Sequence, residues 1–225
     1  QYVGDIAIAP IKGVLAYNPD AFEMLYHGIE DSRAVTAMLD GLQTNRDVAG
    51  VLVDMDTPGG MILGGPEIGD AVANLVRSGK PVVTHIGGLG ASLGYLIASQ
   101  SSEIVANRSA MVGSIGVIQS TTDWTKYLAD RGIKIEVFTN KEAKFKAAGA
   151  VGTSLTDDHR TQIQSQVDYA FALFKGAVTS ARPQVKAEAM QGQAFRGEEA
   201  KSRGLIDRIG GINLAMSVLR QRMHK

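Results

Sequence analysis

Val48-Ala49-Gly50-Val51-Leu52-Val53-Asp54-Met55 is the stretch that decides the fold class. Its core, Val51-Leu52-Val53, is continuously apolar rather than alternating, as expected of a strand in a parallel sheet covered on both faces. Outward from it, strand and helix patterns take turns. Residues 3–9 and 11–17 predict two strands around Pro10, and residues 29–43 predict a helix with apolar positions Val35, Met38, Leu39 and Leu42. On the C-terminal side come a helix at about 66–77, a strand at 81–86, a helix at 92–100, and strands at 104–106 and 112–118. A helix at 122–130 and a strand at 133–138 complete the alternation. Strands and helices recur about every 30 residues, the span of a βαβ unit, so the fold class is α/β.

Residues 155–180 predict a long amphipathic helix, with Ile163, Val167, Phe171, Phe174 and Val178 three or four apart and Thr156 as its N-cap. Beyond it lie a segment at 183–190, a short apolar stretch around Phe195, a helix at 197–203, a turn at 204–207 and a last helix to about 222. No Pro/Ser-rich linker interrupts the chain, so one domain is expected over 1–225. Its α/β core runs to about residue 150, and a helical C-terminal part, 151–225, offers a surface for oligomerisation.

Composition removes several classes of function. The 225 residues are enough to bury a sizeable core, and 44% hydrophobic with 20% charged residues is an ordinary globular mixture. Lys+Arg and Asp+Glu both number 23, so the basic excess of a nucleic-acid binder is missing. With no cysteine, disulfides, thiolate-bound zinc and a cysteine nucleophile are all excluded. No apolar run approaches the roughly 20 residues that span a bilayer. The sequence starts at Gln1 rather than Met, which leaves open a leader, anchor or pro-segment upstream.

Three glycine-rich segments can carry chemistry. Asp54-Met55-Asp56-Thr57-Pro58-Gly59-Gly60 sits at the carboxyl end of the buried strand, where open α/β sheets bind their ligands. Its proline and glycines permit backbone N–H groups to point outward at an oxyanion, although alone it is also a Pro-Gly turn. Gly90-Ala91-Ser92-Leu93-Gly94-Tyr95 puts Ser92 between a strand and a helix, with the Leu93 amide at the helix N-terminus. A serine there is a nucleophile or simply an N-cap. A degenerate dinucleotide loop fits less well, because the strand at 104–106 ends in Asn107-Arg108 with no acid for a ribose. Gly113-Ser114-Ile115-Gly116-Val117 is the third segment, a strand of small residues that other groups can approach closely.

In this order the three motifs resemble the signal peptide peptidase A family of serine proteases, peptidase family S49, and within it the lambda-like phage capsid (prohead) proteases. Residues 52–61, the Leu155-Thr156-Asp157-Asp158 stretch and the pair Gly197-Glu198-Glu199-Ala200 and Gly204-Leu205-Ile206-Asp207 carry the likeness, which extends from Gly13 to about Asp207. The resemblance implies a Clp protease/crotonase-like fold of repeated strand-strand-helix units with a C-terminal helical extension. It implies a serine-lysine dyad: Ser92 as nucleophile, Lys146 as general base, the N–H groups of Gly60 and Leu93 as oxyanion hole, and Ser114 as the hydroxyl orienting the lysine. Lys141 and Lys144 are the other candidates for the base, in a lysine-rich stretch that otherwise looks like a solvated loop. Leu93 and Ala147 replace the glycine and the acid usual in the signal-peptide branch.

The resemblance further implies an extended polypeptide substrate, a scaffold or capsid protein in a procapsid assembling in a bacterial cytoplasm, and a ring-like homo-oligomer. In the membrane-associated branch the substrate is a signal peptide. No cofactor, metal or nucleic acid is implied. A base must take the serine proton, and a lysine does so only when neutral, which asks for a pKa moved from about 10.4 towards 7 to 8. His27, His85, His159 and His224 lie outside the motifs, and a triad using His85 or His159 with Asp54 or Asp56 is the competing arrangement. A crotonase-like acyl-CoA enzyme and a non-catalytic assembly protein are the alternatives of other classes.

Overall fold

The computed structural model describes residues 1–224, which divide into two compact units: residues 1–116 with the C-terminal stretch from 173, and residues 117–172. In chain order the first unit opens with β1 (Tyr2–Val3), β2 (Ile6–Ala16), α1 (Ala21–His27), β3 (Ile29–Asp31) and α2 (Ser32–Thr44). It continues with β4 (Gly50–Gly60), α3 (Gly65–Arg77), β5 (Val82–Ala91), α4 (Leu93–Ser99), β6 (Glu103–Ala106) and β7 (Met111–Gly113). The second unit holds α5 (Thr125–Asp130) and the first part of α6 (Asp157–Ala181). The chain then returns to the first unit with a 3-10 turn (Ala187–Ala189), β8 (Ala194–Arg196), α7 (Gly197–Ser202), β9 (Arg208–Ile209) and α8 (Ile212–Met223).

β4 is the central strand expected from its apolar run. The sheet order is β1-β2-β4-β5-β6-β9, and β4 runs parallel to both neighbours. Val51, Leu52, Val53 and Met55 are wholly buried. On one face α8 packs Ala215, Val218 and Leu219 against Ile6, Leu52, Val83 and Val105. Helix α2 buries Val35, Leu39 and Leu42, while α3 buries Ile68, Ala71, Val72 and Leu75, the stripes that a helical period predicts.

Strand β5 changes partner along its length, and this positions the site. Its first half pairs with β6, Val83 opposite Glu103 through Ile86 opposite Ala106. Its second half pairs with β7, Leu89 opposite Met111 through Ala91 opposite Gly113. Arg182 locks the C-terminal stretch onto this region. Its guanidinium grips Asp207 (2.9 and 3.1 Å), whose Oδ2 accepts the Ile104 N–H at 2.8 Å. Tyr95 donates its hydroxyl to Leu205 O at 3.0 Å, and burial pushes its phenol far up from ionisation.

Several local expectations differ. The two strands expected around Pro10 are one strand, β2. Pro10 lies between the residues that pair with β1 and those that pair with β3, on an open stretch of edge where a missing N–H breaks no ladder. The helix expected from residue 29 begins at Ser32, because Ile29–Asp31 pairs with β2 and the Asp31 carboxylate accepts the Arg33 N–H to cap α2. Residues 114–118 do not continue β7, since Ser114 takes a left-handed φ of 50°. The strand expected at 133–138 has no partner in its unit and forms no ladder.

Candidate active site

Ser92 sits between β5 and α4 with φ 52° and ψ −124°, a conformation that costs a non-glycine residue about 1–3 kcal/mol. Three backbone hydrogen bonds hold it there. The Ser92 N–H donates to Gly113 O at 2.8 Å, and Ser92 O accepts from Tyr95 (2.9 Å) and Leu96 (3.1 Å). Its hydroxyl makes no capping bond to α4. The side chain is thus not spent as an N-cap, and it remains half-buried rather than sealed in the core. Among the described residues the Leu93 N–H, first in the helix, has no acceptor.

The Pro58-Gly59-Gly60 segment presses on this corner. A Cβ at Gly59, whose φ is +99°, would stand 2.8 Å from Leu93 N, Ser92 Cβ and Ala91 O. At Gly60 a Cβ would stand 1.9 Å from Leu15 O, so β4 meets β2 there by backbone alone. The Met61 N–H donates to that same Leu15 O. Successive amides alternate along a strand, so the Gly60 N–H faces the opposite edge, where pairing with β5 has ended at Thr57 and Gly90.

Two polar residues shape the loop in ways that local sequence gives no means of reading. Buried Thr57 donates its hydroxyl to Gly13 O and accepts the Gly59 N–H at 3.0 Å. Asp56 accepts the Leu89 N–H at 2.9 Å, spanning the bulge between β4 and β5. The motif is visible in sequence, but its anchor on Gly13, 44 residues away, is not.

Ser114 follows the glycine whose carbonyl holds Ser92, and its own N–H donates to Gln193 O at 2.7 Å. Ser92, Leu93, Gly59, Gly60 and Ser114 are therefore assembled on the first unit. Lys146 belongs to the second unit, in a run of turns where its N–H donates to Ala143 O at 2.9 Å. Its side chain is exposed, as are those of Lys141 and Lys144. Lys144 is paired with Asp158 at 2.9 Å, whereas among the described residues neither Lys141 nor Lys146 meets a carboxylate.

Both internal histidines are occupied. His85, 5% exposed, puts Nδ1 3.4 Å from Asp54 Oδ1 and Nε2 3.4 Å from Asn107 Oδ1. Asp54 is held in turn by Lys12 at 2.7 Å. His159, in the second unit, faces the Thr156 N–H and Lys144 O. Neither ring keeps a nitrogen free for Ser92. Among the described residues no three potential metal-ligating side chains converge, and no helix is long and apolar enough to cross a membrane.

The profile of Peptidase family S49 matches residues 74–224, about two thirds of the chain and all of the segment that carries Ser92, Ser114 and Lys146. The chain belongs to peptidase family S49. It is similar to the capsid assembly protease C of Escherichia phage lambda, 30% identical over 98% of this chain and 50% of the phage protein. A putative protease of Methanocaldococcus jannaschii is 29% identical over 85% of this chain and 62% of its own length. Protease 4 of Haemophilus influenzae is 27% identical over 83% of this chain and 30% of its own length. This S49 chain thus spans only about a third to three fifths of these relatives.

Solved structures agree on the fold. The 1510-N membrane-bound stomatin-specific protease, a mutant in complex with a substrate peptide, superposes with a TM-score of 0.54 at 17% identity. That match covers 93% of this chain and 77% of the other. An enoyl-CoA hydratase/isomerase family member gives 0.54 at 17% identity, covering 100% and 76%. The architecture of this S49 chain is the Clp protease/crotonase-like one.

Proposed function

We propose that the chain is a serine endopeptidase in which Ser92 is the nucleophile, Lys146 the general base, and the N–H groups of Gly60 and Leu93 the oxyanion hole. The observation that carries this is the state of Ser92: a strained serine whose hydroxyl makes no helix cap, beside an amide with no acceptor among the described residues and under a glycine loop. The neutral Lys146 amine takes the hydroxyl proton as Oγ attacks the scissile carbonyl, and the two amides bind the negative oxygen that forms. The lysine then gives the proton to the leaving amine, and a water it activates releases the acyl group. Ser114 holds the lysine amine in line.

The substrate is an extended polypeptide laid beside the 57–61 loop, where backbone hydrogen bonds bring its carbonyl over Ser92. Scaffold or capsid-associated proteins in an assembling procapsid, in the cytoplasm of a bacterial host, are the proposed targets. The lambda relative supports this reading, with 30% identity along 98% of the chain. Assembly as a homo-oligomer belongs to the same proposal. The crotonase-like alternative uses the same amides without a nucleophile, so it gives no role to the strain at Ser92.

Turnover of an unstructured protein by single lysine variants tests the assignment. Lys146→Ala loses turnover, while Lys141→Ala and Lys144→Ala keep most of it. Coenzyme A binding without hydrolysis would favour the acyl-CoA enzyme instead.

A further inference from the structure

His159 occupies a position that neither the family motifs nor the dyad use, and it is 7% exposed with both ring nitrogens engaged inside the second unit. Thr156 Oγ1 accepts the His159 N–H at 3.2 Å, and the Thr156 N–H points back at His159 Nδ1 at 3.4 Å. This is a capping box at the start of α6, with histidine in the place usually held by Glu or Gln. Unlike Glu, histidine has a nitrogen left over to donate. Nε2 reaches Lys144 O at 2.9 Å, and among the described residues it is the sole partner of that carbonyl. The Phe145 ring lies beside the imidazole, 6.0 Å between centroids, and Lys144 Nζ reaches Asp158 in the same helical turn.

We propose that His159 is a positioning residue, which ties the segment carrying Lys146 to the first turn of α6 by accepting from Thr156 and donating to Lys144 O. The proposal rests on Lys146 being the base. Its two contacts ask for the tautomer with the proton on Nε2, because Nδ1 faces a donor and Nε2 an acceptor. A helix cap alone would need only the acceptor. What histidine adds is a backbone hold on the peptide two residues before Lys146, in a run whose other ties are the Lys144–Asp158 ion pair and short-range turns such as Lys146 N–H to Ala143 O and Thr153 Oγ1 to Ala147 O.

Three variants separate the two contacts. His159→Glu keeps an acceptor for Thr156 and has no donor for Lys144 O, His159→Gln carries both on one amide, and Lys146→Ala reports on the base. The readouts are the rate of Ser92 labelling by a fluorophosphonate, kcat and KM on a peptide substrate, and the melting temperature. His159→Glu is expected to melt near wild type yet label about tenfold or more slowly, through kcat rather than KM, with His159→Gln restoring most of the rate. An unlabelled Lys146→Ala beside a His159→Glu as fast as wild type overturns the proposal alone. Lys146→Ala labelled at the wild-type rate contradicts the base and removes this proposal with it. Equal slowing of both His159 variants, matched by equal loss of melting temperature, reduces His159 to a helix cap and also overturns it. Should His159→Glu not fold, the long-range proton-nitrogen spectrum of wild-type His159 decides: a proton on Nε2 with bare Nδ1 supports the proposal, and a proton on Nδ1 overturns it.

Discussion

The Ser92 N–H donates to the carbonyl of Gly113 at 2.8 Å, so the strained corner of β5 hangs on a glycine of β7. That bond makes neighbours of Ser92 and Ser114, two of the three non-glycine residues with positive φ among the described residues. The third, Asn18, is of a type that visits this region routinely. Backbone strain is thereby concentrated where the chemistry is proposed.

Gly59→Ala is expected to abolish labelling of Ser92. The new Cβ would meet Leu93 N and Ser92 Cβ at 2.8 Å and would sit at φ +99°, so the loop must leave the corner. The strained φ alone costs about 1–3 kcal/mol, which a denaturant titration measures beside the labelling rate. Unchanged labelling would show that the loop does not shape the site.

Thr57→Val keeps the shape and removes the hydroxyl shared by Gly13 O and the Gly59 N–H. Leaving these groups unpaired in a buried position costs about 1–3 kcal/mol. Hydrolysis should fall more than stability, because Gly59 loses its tether while the core of β4 is intact; equal activity at reduced stability would contradict this.

Much of this corner was legible in the sequence, and the reason is that its signals are local. An apolar run marks β4, glycines mark the loop, and Ser92 stands where a strand pattern gives way to a helix pattern. The failures are non-local. Residues 133–138 alternate as a strand should, but a strand exists only with a partner, and the alternation cannot supply one. The Thr57 anchor on Gly13 and the His159 bond to Lys144 O join residues distant in sequence or hidden in a polar stretch.

Arg182→Met tests the lock on the C-terminal stretch. It removes both bonds to Asp207 and one to Gly204 O, and leaves the carboxylate beside β6 without its partner. Loss of a buried pair's partner costs about 3–5 kcal/mol, and the low end applies because the Asp207 side chain is 31% exposed. Chemical denaturation reads the change.

Asp123 supplies an acid limb to stability. Hydrogen bonds from Thr125, first through its hydroxyl, and from Ser154 hold its carboxyl down at about 2 from an ordinary 3.8. A depressed folded value stabilises above the unfolded pKa and is lost as pH falls through the folded one. The stability gap between wild type and Asp123→Asn should therefore be constant above about pH 4 and close between there and about pH 2. A gap unaffected by acid would show that the carboxylate charge contributes nothing.

The central claim is that Ser92 is the nucleophile, and mass mapping of the protein after fluorophosphonate treatment tests it most directly. One adduct is predicted, on the peptide containing Ser92, and it is absent from Ser92→Ala. An adduct that persists in Ser92→Ala, or hydrolysis by wild type with Ser92 unmodified under full inhibition, would contradict the account.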